Sequence, residues 1–278
     1  MSDSTDTAGD KPVLGNPQAA AEANKLNRKI KRFEFSWSWF SIPSLILVWM
    51  ITATQFPAYI LPQVWHVIEE GYEWVVTGDI WPHLQGSFLE IVGGFGLAII
   101  ISLVCGFLAG FYKGFREYIV PLNGLFMAIP PIAWAPLMLI VFGIGYTTII
   151  LVVLISAVNP MILTIMEGVL QITGQEVRAA RVLGAKRWQL LLYVYLPASL
   201  PFVTAALRIG FSQAWRALVA AEMIGAAAGV GWMVQVGGEI GNARQVLLGI
   251  ALIGGFSYLF ERLLFRPIEK RYEVWRLA

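Results

Sequence analysis

The sequence predicts an all-α polytopic membrane protein with six transmembrane helices, and three observations carry that prediction. Of 278 residues, 57% are hydrophobic and 14% charged, with a mean hydropathy of +0.66, against about 25% charged in ordinary soluble domains. Six stretches reach the ~20 mostly apolar residues that a spanning helix needs. The cations, finally, gather in alternate connecting segments. With 20 Lys+Arg against 18 Asp+Glu the balance is nearly neutral. It implies no nucleic-acid partner, and the lipid bilayer is the surrounding the composition fits.

Residues 1–36 form a cytoplasmic, largely disordered basic tail. They hold too few large apolar residues to offset ordering entropy, and end in Lys25, Arg28, Lys29, Lys31 and Arg32 without a signal-peptide pattern. Residues 37–86 hold the first span, near 38–60, and an external interfacial segment. There Trp65, Tyr72, Trp74 and Trp81 suit the headgroup level. His66 and His83 in the same stretch lack further ligands at metal-site spacing, so no metal site is read. Residues 87–265 form a core with five more spans, near 87–112, 121–143, 146–170, 198–224 and 244–265. Pro130, Pro131 and Pro136 kink or break the third, and Asn159-Pro160 loosens the fourth. Residues 266–278 are a cytoplasmic C-terminal tail. Cys105, the lone cysteine, is a packing residue inside an apolar run.

The charges orient these spans. Five Lys/Arg between residues 25 and 32 precede the first, while 61–86 has none and carries Glu69, Glu70, Glu73 and Asp79. Lys113 and Arg116 follow the second span; Arg178, Arg181, Lys186 and Arg187 follow the fourth; Arg266, Lys270, Arg271 and Arg276 follow the sixth. Both termini and the second and fourth loops are therefore cytoplasmic. Five or seven spans would put a basic terminus outside.

Small residues recur at four-residue spacing at Gly106–Gly110–Gly114, Gly225–Gly229 and Gly237–Gly241. They fit close helix approach, either within one subunit or between two. Gly143-Ile-Gly145 does not continue to Lys-Ser/Thr, so no nucleotide loop is present. No span holds a His or Asp, which argues against an intramembrane enzyme. Neither internal repeats nor midplane carboxylates favour an ion-coupled secondary transporter, the alternative class.

The connection 174–197 is the informative loop. It reads as a short helix over 176–183, a glycine that ends it, a second helix over 186–195, and a proline-marked return to the membrane. Val177, Ala180 and Leu183 share an apolar face while Arg178 and Arg181 point elsewhere. Such a projecting helix suits a groove on a cytoplasmic partner.

The same segment resembles the EAA loop of ABC-importer permeases: Glu-Ala-Ala, three residues, Gly, nine residues, Ile-x-Leu-Pro. Ala179-Ala180, Gly184, Val194 and Leu196-Pro197 stand at those spacings, with Arg178 in place of Glu and Val194 in place of Ile. Glu176 is a nearby carboxylate. The stretches Ile129-Pro130-Pro131-Ile132-Ala133-Trp134-Ala135-Pro136-Leu137, Leu207-Arg208 and Val219-Ala220-Ala221-Glu222-Met223 are similar to the nitrate/sulfonate/taurine/bicarbonate branch. Branch relatives often have Arg at the Glu90 position. The resemblance implies a type I ABC importer permease fold in the bacterial inner membrane, with no catalytic residue and no cofactor of its own. It implies a second permease copy in a homodimer, two cytoplasmic ATP-binding subunits that bind ATP and Mg, and an extracytoplasmic substrate-binding protein. The coupling residues it points to are Glu176, Arg178, Ala179, Ala180, Leu183, Gly184, Ala185 and Lys186.

The fifth span supplies the translocation pathway. At 100° per residue, Thr204, Arg208, Ser212, Trp215, Arg216 and Glu222 lie within about a third of the helix circumference. Charge at membrane depth normally faces a cavity or a partner. Arg208 lies about 15 Å into the span by helical rise; it either lines the path or pairs with a carboxylate such as Glu167. Trp134 and Met138, beside the proline break, line the path or pack. Arginines near the axis favour an anion: nitrate, bicarbonate, or a sulfonate such as taurine. A thiamine-precursor pyrimidine is the alternative substrate within the family.

Overall fold

The computed structural model describes residues 38–172 and 174–267, with the side chains of Ser38, Trp39, Gln175, Glu176 and Arg187 outside that description. The N-terminal tail, the end of the C-terminal tail and the Glu176 carboxylate thus lie outside the described residues. The chain divides into one unit ending at Ile51 and another beginning at Thr52. Every described element is helical.

Helix α1, Ser38–Ala53, is apolar but 16 residues long, about 24 Å by helical rise. It stops short of the expected 38–60 span because the chain turns at Pro57, whose carbonyl accepts from the Ile60 and Leu61 amides. The interfacial segment is an amphipathic helix, α2, Val64–Thr77, with Val67 buried and Trp65, Ile68 and Tyr72 exposed. Gly78 ends it at φ 88°. Helix α3, Ile80–Phe111, therefore begins seven residues before the expected second span.

The third expected span is two helices. α4, Lys113–Ala128, and α5, Pro131–Phe142, meet at 92°. Pro130 forces Ile129 into extended backbone, and Pro131 starts the next helix, where its missing N–H costs nothing. Helix α6, Tyr146–Gln171, is central, packed against both α3 and the helix over Leu196–Gly225. Helix α7, Gly174–Val182, leads to a short α8, Arg187–Leu190. From Trp188 the helix runs unbroken through a π-turn, Leu191–Tyr195, into α9, Leu196–Gly225. The expected proline-marked re-entry is thus a widened turn. The Leu196 amide reaches back to Leu191 O just before Pro197, which relieves the clash a proline ring makes in an α-helix. A second π-turn, Glu261–Phe265, precedes Pro267.

Helix α10, Val230–Glu239, and α11, Ala243–Phe260, complete the chain. Asn242 caps α11, its Oδ1 accepting from the Arg244 and Gln245 amides. Among the described residues four helices are long and apolar enough to cross a membrane: α3, α6, Trp188–Gly225 and Ala243–Phe265. The α4–α5 pair makes a fifth if it counts as one span.

Close approach of small residues builds the α3–α6–α9 core. A Cβ on Gly94, Gly106 or Gly110 of α3 would sit 2.7 Å from Val153, 2.7 Å from Ile165 or 2.6 Å from Val169 of α6. Within the 106–110–114 spacing, two glycines thus serve intrasubunit packing, while Gly114 faces open space. Gly106→Val should lower the melting temperature of the purified protein by several degrees, because overpacking costs about 1–3 kcal/mol. Gly114→Val, by contrast, should stay within about 0.5 kcal/mol, the usual surface range. Equal melting temperatures for the two variants would refute this packing account.

Candidate functional site

The loop after α6 ends in a glycine turn with defined bonds. Gly184 has φ 83° and open space around its missing side chain. The Ala185 amide donates to Ala180 O and the Gly184 amide to Arg181 O, both at 3.0 Å. This pairing is the Schellman closure, which needs a left-handed residue at the Gly184 position. Gln189 then caps α8 by accepting from the Lys186 amide at 2.7 Å.

The apolar face expected on α7 divides. Val177 is buried and Ala180 half-buried, against the chain itself. Leu183 does not join them: although its amide still donates to Ala179 O at 3.1 Å in the helical pattern, it is 86% exposed, beside Val182 at 87%. Arg178, Ala179, Arg181 and Lys186 are exposed and Ala185 is half-buried. The open surface of the loop is therefore an aliphatic tip flanked by cations.

The polar stripe on α9 separates into three environments. Thr204 is buried, its hydroxyl donating to Pro201 O at 2.8 Å. Trp215 is buried too, donating through Nε1 to Ile253 O at 3.3 Å and stacking on Phe211. These two hold the fold.

Arg208, Ser212 and Arg216 stay exposed along one edge. Arg208 pairs with Glu261 rather than Glu167. Its Nη2 meets Oε1 and its Nε donates to Oε2 at 3.3 Å, a forked arrangement across α9 and the last π-turn. The pair is neutral as a unit. Arg216 instead folds onto its own helix, with Nε donating to Ser212 O and Nη2 to Ser212 Oγ, both at 3.0 Å. Among the described residues it has no carboxylate partner.

Glu222, at the far end of the stripe, is 1% exposed. It accepts from the Gly231 amide at 2.6 Å and from the Ser87 hydroxyl, which places it in the anchorage of α10 rather than beside Arg216. On α5, Trp134 stacks on Phe126 at 5.5 Å, with a buried Nε1 that has no partner. It borders a small cavity of about 70 Å³ with Ser156, Asn159 and Gln213. Met138 is half-buried against the core, and its carbonyl accepts from Thr148.

Glu261 and Ser87 escape the sequence reading, and His83 enters it only as an interfacial residue. Glu261 follows the last apolar run and looks like an end-of-span charge. His83 and Ser87 lie one turn apart at the start of α3, at or before the edge of the expected span. Among the described residues no cluster of His, Cys, Asp or Glu could hold a metal.

Residues 98–271 match the family described as binding-protein-dependent transport system inner membrane component. The taurine transport system permease protein TauC of Escherichia coli (strain K12) is 33% identical over 267 residues, covering 90% of this chain and 97% of that protein. The nitrate import permease protein NrtB of Synechococcus elongatus is 32% identical over 211 residues, covering 68% and 75%. An inward-facing structure of the MetNI methionine ABC transporter shares the fold, with a TM-score of 0.55 at 21% identity over 71% of this chain and 96% of that one.

Proposed function

This chain belongs to the binding-protein-dependent transport system inner membrane components, and we propose that it forms the membrane pathway of an ATP-driven importer for a small anionic solute of the taurine, sulfonate, nitrate or bicarbonate class. It crosses the bacterial inner membrane six times, with α1 and the bent α4–α5 pair as the first and third spans and both termini in the cytoplasm. Two copies enclose the path between them. The loop around Gly184 seats on a cytoplasmic ATP-binding subunit, which holds ATP and Mg, and an extracytoplasmic protein delivers the solute. The permease does no bond chemistry. Closure of the ATPase pair moves α7 and switches the spans between two packings.

The observation that supports an anion is the exposed edge of α9. Arg208 is paired with Glu261, whereas Arg216 bonds only to Ser212 and has no carboxylate partner among the described residues. A guanidinium without a carboxylate partner on a spanning helix is costly against lipid and fits a water-filled path or a subunit interface. In a twofold assembly the Arg216 side chains would number two, enough to draw one small anion and weak enough to release it.

The test is to purify the chain with whatever ATP-binding subunit accompanies it, reconstitute both with the binding protein, and follow labelled taurine and nitrate. Uptake should need ATP inside the compartment facing the Gly184 loop. Uptake that persists without ATP and follows a sodium or proton gradient would identify a secondary transporter and end this reading.

A further inference from the structure

The start of α10 is held by side chains from two other helices. Three successive amides are taken: Gly229 N–H donates to His83 Nδ1 at 3.1 Å, Val230 N–H to Ser87 Oγ at 2.9 Å, and Gly231 N–H to Glu222 Oε2 at 2.6 Å. The Ser87 hydroxyl in turn donates to Glu222 Oε1. His83, Ser87 and Glu90 share one face of α3, at i, i+4 and i+7. Two glycines make room for the carboxylate. A Cβ on Gly229 would lie 2.5 Å from the Glu222 carboxyl carbon, and one on Gly231 3.0 Å from its Oε2.

Both Glu222 oxygens therefore accept from donors, the role of an ionised carboxylate at a helix N-terminus. Beside it lies a second carboxyl group. Glu90 is 2% exposed, keeps a buried Oε2 with no partner, and lies within hydrogen-bonding reach of Glu222. Among the described residues neither carboxyl has a cationic partner. The neighbouring groups that could balance charge are neutral: the Ser87 hydroxyl and backbone amides. His83 accepts through Nδ1, so it holds its proton on Nε2 and is a neutral ring in this arrangement.

Two buried carboxyl groups within hydrogen-bonding reach of each other bond only with a proton between them, since an ionised carboxylate has no donor. Glu222 already uses both oxygens as acceptors, so Glu90 is the donor. We propose that Glu90 and Glu222 form a buried proton-sharing pair, with Glu90 carrying the proton and Glu222 the single charge that anchors α10. The pair is a binding site for one proton, between α3 and α9, independent of which solute the protein carries. It also explains how two acidic side chains are tolerated at almost no exposure. One charge is met by hydrogen-bond donors and a helix N-terminus, and the other is never formed.

The full-length chain in lipid nanodiscs tests this in two ways. First, infrared spectra of wild type and Glu90→Gln are compared in the carbonyl region of protonated carboxylic acids. The wild type should show a band that Glu90→Gln loses. Second, melting temperatures are read for Glu90→Gln and Glu222→Gln. The side-chain amide introduced by Glu90→Gln can replace the shared proton as donor to Glu222, so this variant should melt close to wild type. Glu222→Gln turns an NH2 group toward a donor amide and should melt about 5–10 °C lower. A wild type without the band overturns the proposal, as does a Glu90→Gln variant as damaged as Glu222→Gln. If the band is absent and sodium or lithium raises the melting temperature, a metal cation occupies the place assigned to the proton, and the proposal fails in that form as well.

Discussion

Gly184→Val should abolish ATP-dependent uptake while leaving the membrane helices folded. The reason lies in the backbone. Gly184 sits at φ 83° with nothing within 4 Å of the position its Cβ would take, so the valine side chain meets no obstacle of its own. A β-branched residue, however, is strained in the left-handed region, by about 1–2 kcal/mol or more. The chain escapes by opening the turn. That breaks the bonds from Ala185 to Ala180 and from Gly184 to Arg181, and the aliphatic tip of Val182 and Leu183 leaves its place. If that tip docks on the ATPase, a penalty of about 1.4 kcal/mol moves the docking equilibrium tenfold.

Gly184→Asn is the control, because asparagine visits the left-handed region readily. It should keep most of the coupled activity, whereas Gly184→Val loses it with an unchanged melting temperature. Measuring ATP hydrolysis alongside uptake separates uncoupling from dissociation. Hydrolysis without uptake means the lever has slipped, and loss of both means the subunit has come off. Full coupled uptake in Gly184→Val would remove the 174–197 loop from the coupling role.

This prediction can be written from the sequence because the turn is local. Gly184, the Ala-Ala pair before it and the proline after it lie within one short segment, and the residues that bond there are neighbours in the chain. The helical class and the apolar runs are legible for the same reason: hydropathy is a property of consecutive residues. What sequence reasoning misses spans the molecule. Glu222 reads as a charge near the end of a span, and its binding to Ser87 and Gly231 requires knowing that α3 and α10 meet at α9. Glu261 reads as a terminal charge until α9 brings Arg208 against it. Helix ends are illegible where the hydropathy signal is silent. Pro57 cuts the first apolar run short, and the π-turn at Leu191–Tyr195 lets the fifth helix continue through Pro197. The apolar face of α7 reads as one stripe, but Leu183, still bonded in the helical pattern to Ala179 O, is 86% exposed, because burial depends on which elements pack against the helix end.

The second large effect is expected at Arg216. Arg216→Ala should cut anion uptake at least tenfold, a loss of about 1.4 kcal/mol, without lowering the melting temperature, since Arg216 bonds only to Ser212 of its own helix among the described residues. Arg216→Lys keeps the charge but loses the planar fork, and should fall between. Arg208 must behave differently if its charge is spent on Glu261. Arg208→Ala leaves Glu261, 31% exposed, without its forked partner, and should lower both stability and uptake. Removing the carboxylate as well, in Arg208→Ala/Glu261→Ala, takes away both members of the ion pair and should restore much of what the single change lost. A second-site Glu261→Ala, added to Arg216→Ala, should rescue nothing. Uptake of taurine and nitrate, measured beside melting temperature in these variants and the wild type, therefore divides the stripe into one residue that meets the solute and one that holds two helices together. If the Arg208→Ala/Glu261→Ala variant transports as poorly as Arg216→Ala while melting like wild type, Arg208 also faces the solute, and the assignment of selectivity to Arg216 alone is lost.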